Sequence, residues 1–94
     1  MPEFLAEVYV SKAGEAARLP DIETVVAAAN QVTQEGSRVE LLRLIHVPED
    51  ETCFYLFSAE SADGVVDTAD RAGLRLDRLA GVDEHPRPTS RRNR

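Results

Sequence analysis

Residues 39–58 read VELLRLIHVPEDETCFYLFS. Two runs rich in branched and aromatic side chains, 39–47 and 52–58, flank Pro48-Glu49-Asp50-Glu51. Proline presets a turn dihedral and clustered acids favour water, so the stretch predicts a β-hairpin. Pairing Val47 with Thr52 sets Ile45 opposite Phe54 and Arg43 opposite Leu56 on one face. The other face then pairs His46 with Cys53, Leu44 with Tyr55 and Leu42 with Phe57. Both faces are substantially apolar. A sheet with one side in water alternates cleanly, so both sides of this hairpin are expected to be covered.

Working outward, residues 4–10 alternate, with Phe4, Ala6, Val8 and Val10 on one side and Leu5, Glu7 and Tyr9 on the other, which predicts a strand. Residues 11–19 read as a polar connecting loop. Pro20 and Asp21 suit the opening turn of a helix, whose stripe is Ile22, Val25, Val26, Ala29 and Val32; Gly36 stops it. Ser61 is placed to cap a second helix with Ala62, Val65, Val66, Ala69 and Ala72 inward, an Asp67–Arg71 pair outward, and Gly73 at its end. Residues 76–82 form a last, weaker strand. The order β-α-β-β-α-β is the split βαβ, or ferredoxin-like, arrangement of the α+β class, a four-stranded antiparallel sheet with two helices on one face. The apolar second face calls for a partner, and a homodimer closing sheet against sheet is the economical answer.

The 94 residues fit one domain, expected over 1–83, with an Arg/Pro-rich disordered tail over 84–94. Up to Asp83 sixteen acids face seven basic residues, whereas the tail carries Arg87, Arg91, Arg92 and Arg94 against one acid. An acidic body lacks the basic face that nucleic acid requires. No apolar run approaches a membrane span, and Glu3 and Glu7 interrupt any signal-peptide core, so no membrane partner is expected. A single cysteine, Cys53, points to a reducing, cytoplasmic setting.

The stretch LRLIHVPEDETCFYLFSAESADGVV (42–66), followed by RAGLRLDRLAGV (71–82), resembles small actinobacterial proteins of the ferredoxin-like nickel-binding family, and MPEFLAEVYV is similar to that family's first strand. The resemblance covers the whole expected body. It implies a dimeric α+β barrel, two sheets closed face to face, with a transition metal such as nickel as cofactor. Where metal-binding members carry histidines, this chain reads Val8-Tyr9-Val10-Ser11 and Thr68-Ala69-Asp70-Arg71-Ala72-Gly73.

Other ligands are therefore sought among the remaining residues. His46 and Cys53, opposite one another on the hairpin face assigned to the dimer interior, are the metal candidates: imidazole and thiolate suit nickel, copper or zinc, and two copies would bring four ligands together. Their structural alternative is a hydrogen-bonded imidazole beside a thiol packed as a small hydrophobe. Glu7, Tyr9, Arg43 and Tyr55 are the ligand-binding candidates. Glu7 and Tyr9 lie on the non-helix face of the first strand, and Arg43 is directed to the helices or their edge. The expected function is a homodimer binding a small ligand or metal ion between its sheets. The alternative is a cofactor-independent isomerase or monooxygenase using Glu7, Tyr9 and His46 for acid–base work. Phosphate-loop, HExxH and GxSxG patterns are absent from the sequence.

Overall fold

The computed structural model describes residues 1–10 and 19–83. All but the last residue of the expected loop at 11–19, and the tail from 84, lie outside the described residues. Strand β1 (Glu3–Tyr9) is followed by helix α1 (Ile22–Gln34), strands β2 (Val39–Val47) and β3 (Thr52–Ala59), helix α2 (Ala62–Ala72) and strand β4 (Arg78–Val82). The sheet order is β2-β3-β1-β4 and every pairing is antiparallel. This is the ferredoxin-like α+β fold.

The hairpin register follows the sequence from its turn outward: Val47 pairs with Thr52, His46 with Cys53, Ile45 with Phe54, Leu44 with Tyr55 and Arg43 with Leu56. Beyond Arg43 it departs. A β-bulge inserts Leu42, so Leu41 and not Leu42 stands opposite Phe57. The bulge keeps Leu41, and Val39 beyond it, on the core side of the strand. The connection is a 3-10 turn, Pro48–Asp50, followed by Glu51 at φ 51°.

The helices cover the face formed by Ala6, Val8, Cys53, Tyr55, Phe57 and Ala59, all buried. This reverses the expected assignment of the hairpin's faces. Pairing of β3 with β1 sets Cys53 beside Val8, Tyr55 beside Ala6 and Phe57 beside Phe4. The hairpin's inward side is therefore the side carrying His46 and Leu44, and its open side carries Arg43, Ile45, Phe54 and Leu56.

Each helix turns its buried stripe slightly from the expected one. In α1 the buried residues are Val25, Ala28, Ala29 and Val32, with Ile22 and Val26 exposed. In α2 they are Gly64, Val65, Thr68, Ala69 and Ala72, with Val66 exposed. Close packing explains the second case. A Cβ on Gly64 would lie 2.9 Å from Val39 Cγ2 and 3.0 Å from Ser37 Oγ, so α2 approaches the head of β2 at a position only glycine fits without movement. Buried Thr68 donates its hydroxyl hydrogen bond to the Gly64 carbonyl at 2.8 Å, satisfying it within the helix. Thr33 ties α1 to β2: its Oγ1 donates to the Val39 carbonyl and accepts from the Val39 N–H, both at 3.0 Å. On the surface, Arg71 makes the expected pair with Asp67 at 2.9 Å and also grips Glu35, at the end of α1, with both terminal nitrogens.

Candidate functional site

The open face of the sheet is organised in four rows across the strands. Val47, Thr52 and Tyr9 form the first; Ile45, Phe54, Glu7 and Arg78 the second; Arg43, Leu56, Leu5 and Ala80 the third; Glu40, Ser58, Glu3 and Val82 the fourth. The middle two rows supply an apolar centre of Ile45, Phe54, Leu5, Leu56 and Ala80. Charged groups surround it. No helix among the described residues packs on this side.

Glu7 pairs with Arg78 of the neighbouring strand at 3.7 Å. Tyr9, more than half exposed, donates its phenol hydrogen bond to Glu51 Oε1 at 2.9 Å. Its backbone N–H donates to Asp77 Oδ2 at 2.6 Å, and the Asp77 N–H donates to the Glu7 carbonyl at 2.8 Å. Asp77 thereby pins the approach of β4 to the end of β1. Arg43 is exposed on the edge strand β2 with no hydrogen bond or ion pair among the described residues. Glu3 has a buried oxygen, Oε1, that meets no donor among the described residues.

The expected candidates thus separate. Glu7, Tyr9 and Arg43 share the open face. This corrects the direction assigned to Arg43, which follows its bulged strand away from the helices. Tyr55, 1% exposed, lies on the opposite side within the helix-covered core, stacked on Phe57 with ring centroids 6.5 Å apart. Burial, and secondarily the neighbouring Cys53, pushes its phenol pKa up, so it stays neutral. A ligand on the open face cannot touch it.

His46 and Cys53 are opposite one another as predicted, but on the helix side of the sheet. They therefore cannot meet their counterparts in a dimer that closes open face to open face. Cys53 is 3% exposed, and burial raises its pKa, which favours the thiol over the thiolate that binds metal. Among the described residues no three His, Cys, Asp or Glu side chains gather as a metal site.

Two open grooves flank the helices. One of about 410 Å³ runs between α1 and the head of β2, lined by Val26, Asn30, Arg38 and Leu41 among others. The second, about 470 Å³, lies between α2 and β4 beside Val66, Arg75, Leu76 and Leu79. Neither contains Glu7, Tyr9 or Arg43. Among the described residues no helix is long and apolar enough to cross a membrane.

Sequence reasoning missed Glu3, Glu51, Asp77 and Arg78 as parts of this face. Alternation along β1 carries Glu3 with Glu7, and that signal was legible. The roles of Glu51, Asp77 and Arg78 come from turn geometry and from the register of β4, which no local pattern encodes.

No protein-family model matches the chain, and no curated protein matches it. Among solved structures it is similar to SCO4226 from Streptomyces coelicolor A3(2), with a TM-score of 0.67 and 16% sequence identity over 89% of this chain and 99% of that one. At that identity the likeness establishes the fold.

Proposed function

We propose that this chain acts as a homodimer whose open sheet faces close on one another and hold a small ligand between them. The observation that supports it is the apolar centre of the open face, Leu5, Ile45, Phe54, Leu56 and Ala80, bordered by Glu7 and Tyr9. Apolar area of that kind on one side of a thin domain favours association, because removing it from water contributes roughly 25 cal/mol per Å². Glu7 is the polar group nearest the middle of the face and the first candidate to meet a ligand. A mostly apolar molecule with one hydrogen-bonding or cationic end fits such a lining.

The arrangement favours binding over catalysis. The Tyr9 phenol is directed to Glu51 and the Glu7 carboxylate to Arg78, so no acid–base pair converges on a common point in one protomer. The enzyme reading needs groups from both subunits to meet. The resemblance to the nickel-binding family keeps nickel among the ligands to test, held by residues other than a shared His46–Cys53 set.

Native mass spectrometry of untagged protein purified without chelator tests the reading. A dimer carrying an added organic or metal mass is the expected result. A monomer at micromolar concentration overturns it.

A further inference from the structure

Strand β2 is an edge of the sheet, and no strand among the described residues pairs with its outer side. It runs nine residues, against five in β4 at the other edge. The free N–H and C=O groups of a long edge are a template for another chain, and charge, proline or a bulge normally blunts them. Here the bulge at Leu42 blunts only the half toward Val39. From Arg43 to Val47 the ladder with β3 is unbroken, and Leu44, Ile45 and His46 within it are exposed. Apolar exposure gathers at this edge in both layers. Among the described residues eight large hydrophobic side chains are exposed, and five of them belong to α1 and β2: Ile22, Val26, Leu42, Leu44 and Ile45. Helix α1 lies against β2, since Val26 and Leu41 line one groove and Thr33 bonds Val39.

We propose that β2 pairs antiparallel with β2 of a second copy, centred on Ile45, and so joins two sheets edge to edge. This goes beyond the face-to-face reading and does not rest on it, because a joined edge leaves the open face available. Where both contacts form, the edge links two face-closed dimers. Parity selects the register. Residues opposite one another in a ladder share a face. Centring on Ile45 sets Ile45 against itself, Leu44 against His46 and Arg43 against Val47, and each pair lies on one face of the unbroken stretch. Centring on Leu44 or His46 leaves three residues before the bulge or the turn, and centring on Arg43 opposes two guanidinium groups. Charge favours the same partner. Arg43, without an ion pair among the described residues, stands opposite the last strand residue before the other copy's exposed Pro48-Glu49-Asp50 turn. The two-fold makes that attraction twice. The same axis lays the two α1 helices side by side on the helix side of the joined sheet, which covers Ile22 and Val26.

Disulfide trapping on the full chain tests the register. The variants carry L56D, which removes closure through the open face and lies on the opposite side of the sheet from Leu44. Residues directly opposite in an antiparallel ladder have Cα atoms about 4.5–5.5 Å apart, within disulfide range. L56D/I45C is therefore expected to form a covalent dimer under mild oxidation. L56D/R78C, with its cysteine on the other edge strand, is expected to form none above background. Adding L44K, a charge on the helix side of the edge, should lower trapping at least about tenfold. Sedimentation equilibrium should show L56D as a dimer and L56D/L44K as a monomer. If L56D unfolds the chain, judged by circular dichroism, I45C and I45C/L44K are compared without it and the same loss is expected. A folded L56D chain that stays monomeric and traps no dimer overturns the edge pairing and leaves the face-to-face reading in place. Association that L44K abolishes and L56D leaves intact sustains the edge pairing and overturns the face-to-face reading.

Discussion

Single residues in this protein show how burial and charge divide the work. The Cys53 thiol is desolvated in the helix-side core, so its pKa is higher folded than unfolded. A group raised in this way adds stability below the unfolded thiol value, about 8.5, and loses it as the pH rises through the folded one. The urea midpoint is therefore expected to fall between pH 8 and about 9.5, a component that C53A should lack. Native protein should also react slowly with a thiol reagent at pH 7 and rapidly once unfolded. At the surface the logic reverses. The Arg71 guanidinium holds the Glu35 carboxyl below the usual carboxylate range, chiefly by hydrogen bonding, against a smaller opposing desolvation and with help from its charge. A depressed carboxyl contributes at neutral pH, and the contribution disappears as acid protonates the folded state. A melting-temperature gap between the unaltered protein and E35Q is expected at pH 7. It should close as the pH drops well below about 4, and salt should narrow it.

At the scale of elements, the contact between α2 and the head of β2 decides which helix face turns inward. Ala62, Val65, Val66, Ala69 and Ala72 make a plausible stripe by spacing, yet Gly64 and Thr68 are buried and Val66 is not. The space at Gly64 is the cause, and it makes a prediction against helix propensity. Alanine in a helix interior is favoured over glycine by up to about 1 kcal/mol. Here its Cβ meets buried Val39 at 2.9 Å, and overpacking costs about 1–3 kcal/mol. G64A is expected to lower stability by about 1 kcal/mol in urea unfolding, and G64V by more. An increase for G64A would show that the two elements separate freely. The bulge at Leu42 belongs to the same scale: it keeps a strand with apolar residues on both faces in register with the helix layer.

For the molecule as a whole, the two faces of β3 make opposite predictions at neighbouring residues. Phe57 is fully buried under the helices, and F57A is expected to cost about 3–5 kcal/mol, a large share of the stability of so small a domain. Leu56 faces the open side. L56D should leave the far-UV spectrum intact while weakening self-association in sedimentation equilibrium. If L56D unfolds the chain as F57A does, the open face is part of the folding core. The strand-and-helix order, the hairpin turn, the register from Val47 to Arg43 and the Asp67–Arg71 pair were all legible in the sequence, since each depends on side chains within a few residues of one another. Of the candidate site, Glu7 and Tyr9 were legible for the same reason, because alternation along β1 places them together. Which face of the hairpin meets the helices was not. Both faces carry similar apolar content, and the choice follows from pairing of β3 with β1, more than forty residues away in the chain. Hence only the tertiary structure separated Tyr55, His46 and Cys53 from Glu7, Tyr9 and Arg43. Local periodicity determines which elements form; the parity of a strand that is apolar on both sides is decided by its neighbour.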